Sequence, residues 1–176
     1  MLRTSLAIAD ERGLGGVTMQ AVAQRLGVTP MALYRHVRNK SDLLDGLVEC
    51  LLEEMIAPDE SLPWDEQLAG IGRALRETAR RHPAVFPLLL QLPANTPKAM
   101  RSRGVLYNCL RQAGVAPEHV ARVERIVGTL ALGFAASEVS GRFRSHGRET
   151  LDEDYRALET FILAGLEPFK ASGRLD

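Results

Sequence analysis

The sequence predicts an all-α protein of about nine helices divided into two parts. Three observations lead there. Apolar residues recur at three- and four-residue spacing along nearly the whole chain. Strand signals are missing, with no sustained alternation and no Asn-Gly or Asp-Gly hairpin between β-branched runs. Capping residues, prolines and glycines fall between the periodic stretches, where helices start and stop.

The elements follow in order. Leu2, Leu6 and Ala9 mark a first short helix, closed by the glycine-rich stretch from Gly13 to Gly16. Thr18 reads as the N-cap of a second helix whose inner face is Met19, Val22, Ala23 and Leu26. Gly27 ends it, where a left-handed residue costs least. Thr29 caps a third helix with Pro30 in its first turn and Leu33 and Val37 inward. Ser41 is expected to cap the fourth, whose stripe runs Leu43, Leu44, Leu47, Val48, Leu51, Leu52 and Met55. Pro58 to Pro63 reads as an acidic linker. Beyond it lie an amphipathic helix from Trp64 to about His82, a short apolar piece from Val85 to Leu92, and helices over about 96–113, 117–141 and 151–170.

Composition bounds the class. The 176 residues are 45% hydrophobic and 25% charged, which suits a globular chain with a real core. No apolar run reaches the roughly 18 residues of a membrane span, and no basic-then-apolar leader is read at the start. A cytoplasmic protein with no membrane partner is expected. Cys50 and Cys109 form neither a disulfide framework nor a zinc cluster, so no metal and no cofactor are implied. Net charge is zero, with 22 basic and 22 acidic residues, but its distribution is uneven. From Arg12 to Ser41 there is no Asp or Glu, while Arg12, Arg25, Arg35, Arg38 and Lys40 are cationic. That block is a candidate anion-facing surface.

Within the block, residues 18–37 hold two short helices joined by Gly27-Val28-Thr29. Such a turn sets the second helix across the first and lets it protrude, as in a helix-turn-helix. Val22, Ala23, Leu26, Val28, Leu33 and Val37 supply a minimal hinge core. An antiparallel pair buried in a larger bundle would need an apolar outer face. Here that face is short, polar and cationic, which favours DNA.

Residues 17–47, VTMQAVAQRLGVTPMALYRHVRNKSDLLDGL, resemble the DNA-binding domain of the tetracycline-repressor (TetR) family. The matching features are Thr18, Ala23, Leu26-Gly27-Val28, Leu33-Tyr34, His36-Val37 and Lys40 followed by Leu43-Leu44. About a quarter of the chain carries the likeness strongly, and the rest shares it as architecture. The resemblance implies an N-terminal three-helix helix-turn-helix DNA-binding domain, residues 1–47, and a larger effector-binding and dimerisation domain, residues 48–176. It implies phosphate contacts at Thr18, Thr29, Tyr34, His36 and Lys40, all able to donate to phosphate oxygens. It implies base-edge contacts at Gln20, Pro30, Met31, Ala32 and Arg35. Arg35 suits guanine, Gln20 adenine, and the apolar three a thymine methyl. Gln20 stands where the family often carries a long cationic side chain. The sequence opens at the first helix, so a basic arm reading the minor groove is not expected. Blander roles stay open: Tyr34 can pack on the hinge core, His36 can cap the third helix, and Lys40 can be solvated.

For the second domain, the resemblance implies a ligand pocket and a dimerisation surface. The last two long helices have broad apolar faces, and the penultimate one is rich in small residues: Gly128, Ala131, Gly133, Ala135, Ala136, Ser137 and Gly141. Small residues let backbones approach closely, as in a four-helix bundle shared by two subunits. Candidate pocket residues are Trp64, Phe86, Leu89, Leu90, Leu106, Tyr107, Leu110, Phe134 and Glu138, near helix breaks at Pro83 and Pro87. Few carry charge, so a small apolar or aromatic effector is expected.

The expected function is a homodimeric, ligand-responsive transcriptional repressor on a palindromic operator. An activator or ligand-independent regulator would share these features, and a thiol-responsive one would use Cys50 or Cys109. An enzyme would need convergent acid–base, nucleophilic or metal-binding groups. His82, His119 and His146 fall in separate elements, and no HExxH, GxSxG or phosphate loop occurs, so no catalytic residue is assigned.

Overall fold

Capping chemistry sets the first helices. The computed structural model describes residues 1–55, 59, 61–91 and 97–171, apart from the side chains of Pro97, Lys98 and Ser102. Helix α1 (Leu2–Gly16) bends at Gly13, whose φ of 71° is outside the helical region. Thr18 caps α2 (Met19–Leu26), its hydroxyl accepting from the Ala21 N–H at 3.1 Å. Gly27 closes α2 at φ 68°, a left-handed conformation that strains any side chain bearing a Cβ.

The third helix is shorter than its sequence suggests. Helix α3 is only Pro30–Leu33, and Tyr34, Arg35 and His36 form the turn that follows. Leu33 and Val37 are its only buried anchors, and a single turn of packing does not sustain a longer helix. Thr29 holds the N-cap position without a side-chain bond. Asn39, not Ser41, caps α4 (Lys40–Glu54): its side-chain oxygen accepts from the Asp42 N–H at 3.0 Å.

Helix α5 (Trp64–Arg81) ends at His82 and leads into a 3-10 turn (Phe86–Leu90) in place of the short apolar piece. Then come α6 (Pro97–Gln112), α7 (Pro117–Val139), α8 (Arg148–Gly165) and a second 3-10 turn (Glu167–Phe169). Extended pairing among the described residues is limited to one bridge, Val115 with Lys170, which ties the chain's end to the α6–α7 corner. The fold is all-α, as expected. No described helix is long and apolar enough to cross a membrane.

Two cores hold these helices. The first joins α1, α2, α3 and α4 to Ala79 of α5, to Val85, Phe86 and Leu88, and to Ala135 and Ala136 of α7. The second gathers Leu68 of α5, Leu106 and Leu110 of α6, Val120, Val123 and Val127 of α7, and Leu166. The expected division at residue 47 falls inside α4, between Leu47 and Val48, both buried in the first core.

Two expectations about the hinge are corrected. Leu26 is 38% exposed and Val28 43% exposed, so neither belongs to the core. Helix α2 has only eight residues and turns Val22 and Ala23 inward, leaving its last turn and the following corner uncovered. Ala135 and Ala136 pack within the chain rather than on its outside, and Gly128 and Ala131 line a partly open cavity. Small size at Ala135 and Ala136 thus serves intrachain contact.

Candidate nucleic-acid interface and effector cavity

The structure places the DNA-facing candidates on an exposed surface. Residues 24–31 are exposed without interruption, as are Thr18, Gln20, Tyr34, Arg35, His36 and Lys40. Ala32 is half-buried. Met31 is 75% exposed, which for a large apolar side chain is a surface awaiting a partner. Tyr34 is half in solvent rather than packed on the hinge.

Electrostatically the block is weaker than its sequence. Arg25 makes a paired contact with Glu11 of α1, at 2.6 and 2.7 Å. That hydrogen bond holds the Glu11 carboxyl below its usual range. Arg38 binds Asp42 through Nε at 2.7 Å, and this bond likewise lowers the Asp42 carboxyl. Both acids sit just outside the acid-free stretch and fold back on it. Arg12 also acts on the Glu11 carboxyl through its charge, whereas Arg35 and Lys40 form no ion pair among the described residues. Arg35 lies in the exposed turn after α3, and Lys40 opens α4 just beyond it.

A cavity of about 210 Å³ lies where the two cores meet. Leu52 and Met55 at the end of α4, Leu75 and Leu89 bound one side, and Leu68, Leu106, Val127 and Ile162 the other. Of the pocket candidates, Leu89 and Leu106 line it. The other seven lie elsewhere. Phe86 and Leu110 are fully buried in the separate cores, and Leu90 is 51% exposed. Trp64 and Tyr107 pack against the second core, under Lys170 and Arg111 respectively. Phe134 stacks edgewise on Tyr155. Glu138 is consumed by ion pairs, with Arg76 Nε and Arg80 Nη2 each at 2.7 Å.

The sequence missed Leu52, Met55, Gly72, Tyr155 and Glu159, which all line the cavity. Leu52 and Met55 ended a stripe that reads as core, and only the helices brought in from α5 to α8 show that they border a space. Among the described residues no group of histidine, cysteine or acidic side chains could hold a metal ion. Both cysteines are buried.

A second, shallow apolar depression marks the outside of α7 and α8. Ile126, Leu130, Phe161 and Phe169 border it, with Phe161 66% exposed. Beyond their own helices, no described residue lies within 4 Å of where a Cβ on Gly133 or Gly165 would stand.

Comparison with known proteins follows the same two parts. The profile described as "Bacterial regulatory proteins, tetR family" matches residues 1–47. The one described as "Tetracyclin repressor-like, C-terminal domain" matches residues 68–161. The HTH-type transcriptional repressor DrrR1 of Streptomyces coeruleorubidus is 29% identical over 98% of the chain, which spans 66% of DrrR1's own length. Among solved structures, ActR of Streptomyces coelicolor in complex with (S)-DNPA superposes with a TM-score of 0.81, at 25% identity over 95% of each chain. BioQ of Mycobacterium smegmatis gives 0.79 at 27% identity over 94% of each chain. A BioQ structure with its double-stranded DNA operator gives 0.75 at 28% identity, again over 94% of each.

Proposed function

The chain belongs to the tetracycline-repressor family of transcriptional regulators and is not an enzyme, and from that premise we propose that it is a homodimeric repressor released from its operator by a small, largely apolar molecule. One observation carries the reading: α4 runs from the exposed DNA-facing turn to the wall of the cavity. Its first residue is Lys40, and Leu52 and, just past its end, Met55 touch the cavity. A ligand that fits one arrangement of α4 better than another shifts the population of that arrangement, and affinity for DNA changes by the same coupling.

The exposed candidates then take two roles. Thr18, Thr29, Tyr34, His36 and Lys40 position the domain on phosphates, while Gln20, Pro30, Met31, Ala32 and Arg35 read base edges. Ile126, Leu130 and Phe161 support a dimer, because a large apolar side chain left 66% exposed gains by covering. Two subunits would set two such readers about 34 Å apart, one helical turn of DNA. The relatives' names support the parts separately: DrrR1 is called a repressor, one ActR structure holds (S)-DNPA, and one BioQ structure holds its operator. Both cysteines are buried, which argues against a thiol switch.

Selection of bound duplexes from a randomised pool tests the reading. An inverted repeat should emerge; enrichment of no sequence, or of a lone half-site, would overturn it. A screen of small aromatic and apolar compounds for thermal stabilisation, then for operator release, tests the effector. Leu106→Trp, which fills the cavity wall, should abolish stabilisation by a hit and leave ligand-free operator binding intact.

A further inference from the structure

The cavity wall is apolar over most of its area, and two of its polar groups share one helix. Tyr155 and Glu159 stand one turn apart on α8 and both line the space. Glu159 Oε1 is buried without a hydrogen-bond partner. The Tyr155 side chain is pinned by Arg76, 4.6 Å above its ring, and by Phe134 at 5.4 Å. Its hydroxyl packs against Gly72 so closely that a Cβ there would come within 2.8 Å of the oxygen. Native interiors rarely leave a polar atom such as Glu159 Oε1 unsatisfied, because it costs free energy when buried unpaired.

The chemistry of the pair selects a ligand. Burial, reinforced by the Glu159 charge, pushes the Tyr155 phenol upward, so it stays a neutral hydroxyl. Burial pushes the Glu159 carboxyl up as well, against the pull of Arg73, Arg76 and Arg156. Elsewhere on the wall, Arg103 faces Glu124 at 3.4 Å, so its charge is already met. The Glu159 carboxylate accepts hydrogen bonds and repels an anion, and the neutral Tyr155 hydroxyl beside it can accept one as well.

Building on the effector reading above, we propose that the cavity takes a ring-containing apolar molecule whose one polar end is a hydrogen-bond donor, a hydroxyl or an ammonium group, seated between Glu159 and Tyr155. The remaining wall supplies affinity through apolar contact, and the pair fixes orientation. A ligand ending in a carboxylate is rejected.

Calorimetric titration of the full chain with naphthylmethylamine, naphthylmethanol, naphthoate and methylnaphthalene tests this. The amine and alcohol should bind at least about tenfold tighter than naphthoate. Glu159→Gln should bring the amine and naphthoate within about threefold of each other, and Tyr155→Phe should weaken the alcohol. Circular dichroism of both variants checks folding, and the ratio in the unaltered chain decides even where a variant fails to fold. Naphthoate binding as tightly as the amine, a preference that survives Glu159→Gln, or no probe binding at millimolar concentration would each overturn the proposal. Operator release is read in parallel. A donor preference with no release by the bound amine keeps the subsite and removes the effector reading. Release by naphthoate with the preference reversed does the opposite.

Discussion

His82 Nδ1 lies 2.9 Å from Asp10 Oδ2, joining the end of α5 to α1. Its other nitrogen lies 2.8 Å from Glu54 Oε2 at the end of α4. The imidazole is 7% exposed, and both nitrogens can donate at once only in the imidazolium form. One side chain therefore ties the DNA-facing helices to the effector side. His82→Phe keeps the ring but leaves both carboxylates without this donor. It should cost about 1–3 kcal/mol in chemical denaturation. It should also reduce how far a stabilising compound weakens operator binding.

The same site sets a response to acid. Burial pushes the Glu54 carboxyl up, but hydrogen bonds from His82 and Arg81 outweigh it and hold the group below its ordinary value. A carboxyl depressed in the folded state stabilises the fold above its unfolded value and loses that contribution as pH falls through the folded one. Asp152, held down first by its hydrogen bond to Arg80, acts in the same direction. Stability should therefore fall on acidification below the ordinary value of 4.5. Glu54→Gln should flatten that fall in melts recorded across the range. An unchanged slope would remove Glu54 from the account.

On DNA, Arg35 and Lys40 should separate. Arg35→Ala should cost about 1–3 kcal/mol at the selected operator and relax one base pair per half-site. Lys40→Ala should weaken operator and scrambled duplex alike and flatten the salt dependence. Anisotropy titrations at several salt concentrations read both. Equal losses on the two duplexes for Arg35→Ala would move it to a phosphate role.

Arg76 carries a buried knot between three helices. It bonds Glu138 of α7 at 2.7 Å, Asp152 of α8 at 2.9 Å and the Leu151 carbonyl at 2.9 Å. Its side chain is 9% exposed and that of Glu138 is 8% exposed. Arg76→Met should destabilise by about 3 kcal/mol or more, because the Glu138 carboxylate stays buried with fewer donors. Adding Glu138→Leu should recover part of that loss, and a double-mutant cycle measures how much.

Phe161→Asp and Ala135→Arg should behave differently. Phe161 projects outward, so the charge should give monomers by sedimentation with unchanged helical circular dichroism. Ala135 is fully buried within the chain, so an arginine there should unfold it, whatever its assembly. A monomeric wild-type chain at micromolar concentration would sink the dimer.

What the residues revealed in advance was local chemistry. Thr18, Gly27 and Pro30 act through neighbours a few positions away, so the helix-turn-helix could be read directly. The cavity could not. Its wall comes from α4 to α8, and apolar side chains at helical spacing look alike whether they meet a neighbour or a space. Glu138 shows the same limit: its partners Arg76 and Arg80 are 62 and 58 positions away. Glu11 lies just beyond the acid-free block, and only the fold turns it back to neutralise Arg25, 14 positions away.

The first core bears on how portable the DNA-reading part is. Cutting at residue 47 would strip Val48, Leu51, Val85 and Phe86 from the residues against which α1 and α4 pack. Such a fragment should populate its fold weakly, since a chain this short buries too little apolar surface alone. Grafting this reader onto another sensor therefore means carrying α4 whole and rebuilding the patch around Phe86. Exchange between relatives should succeed as substitution of surface residues on a fixed frame, more readily than as transfer of a module.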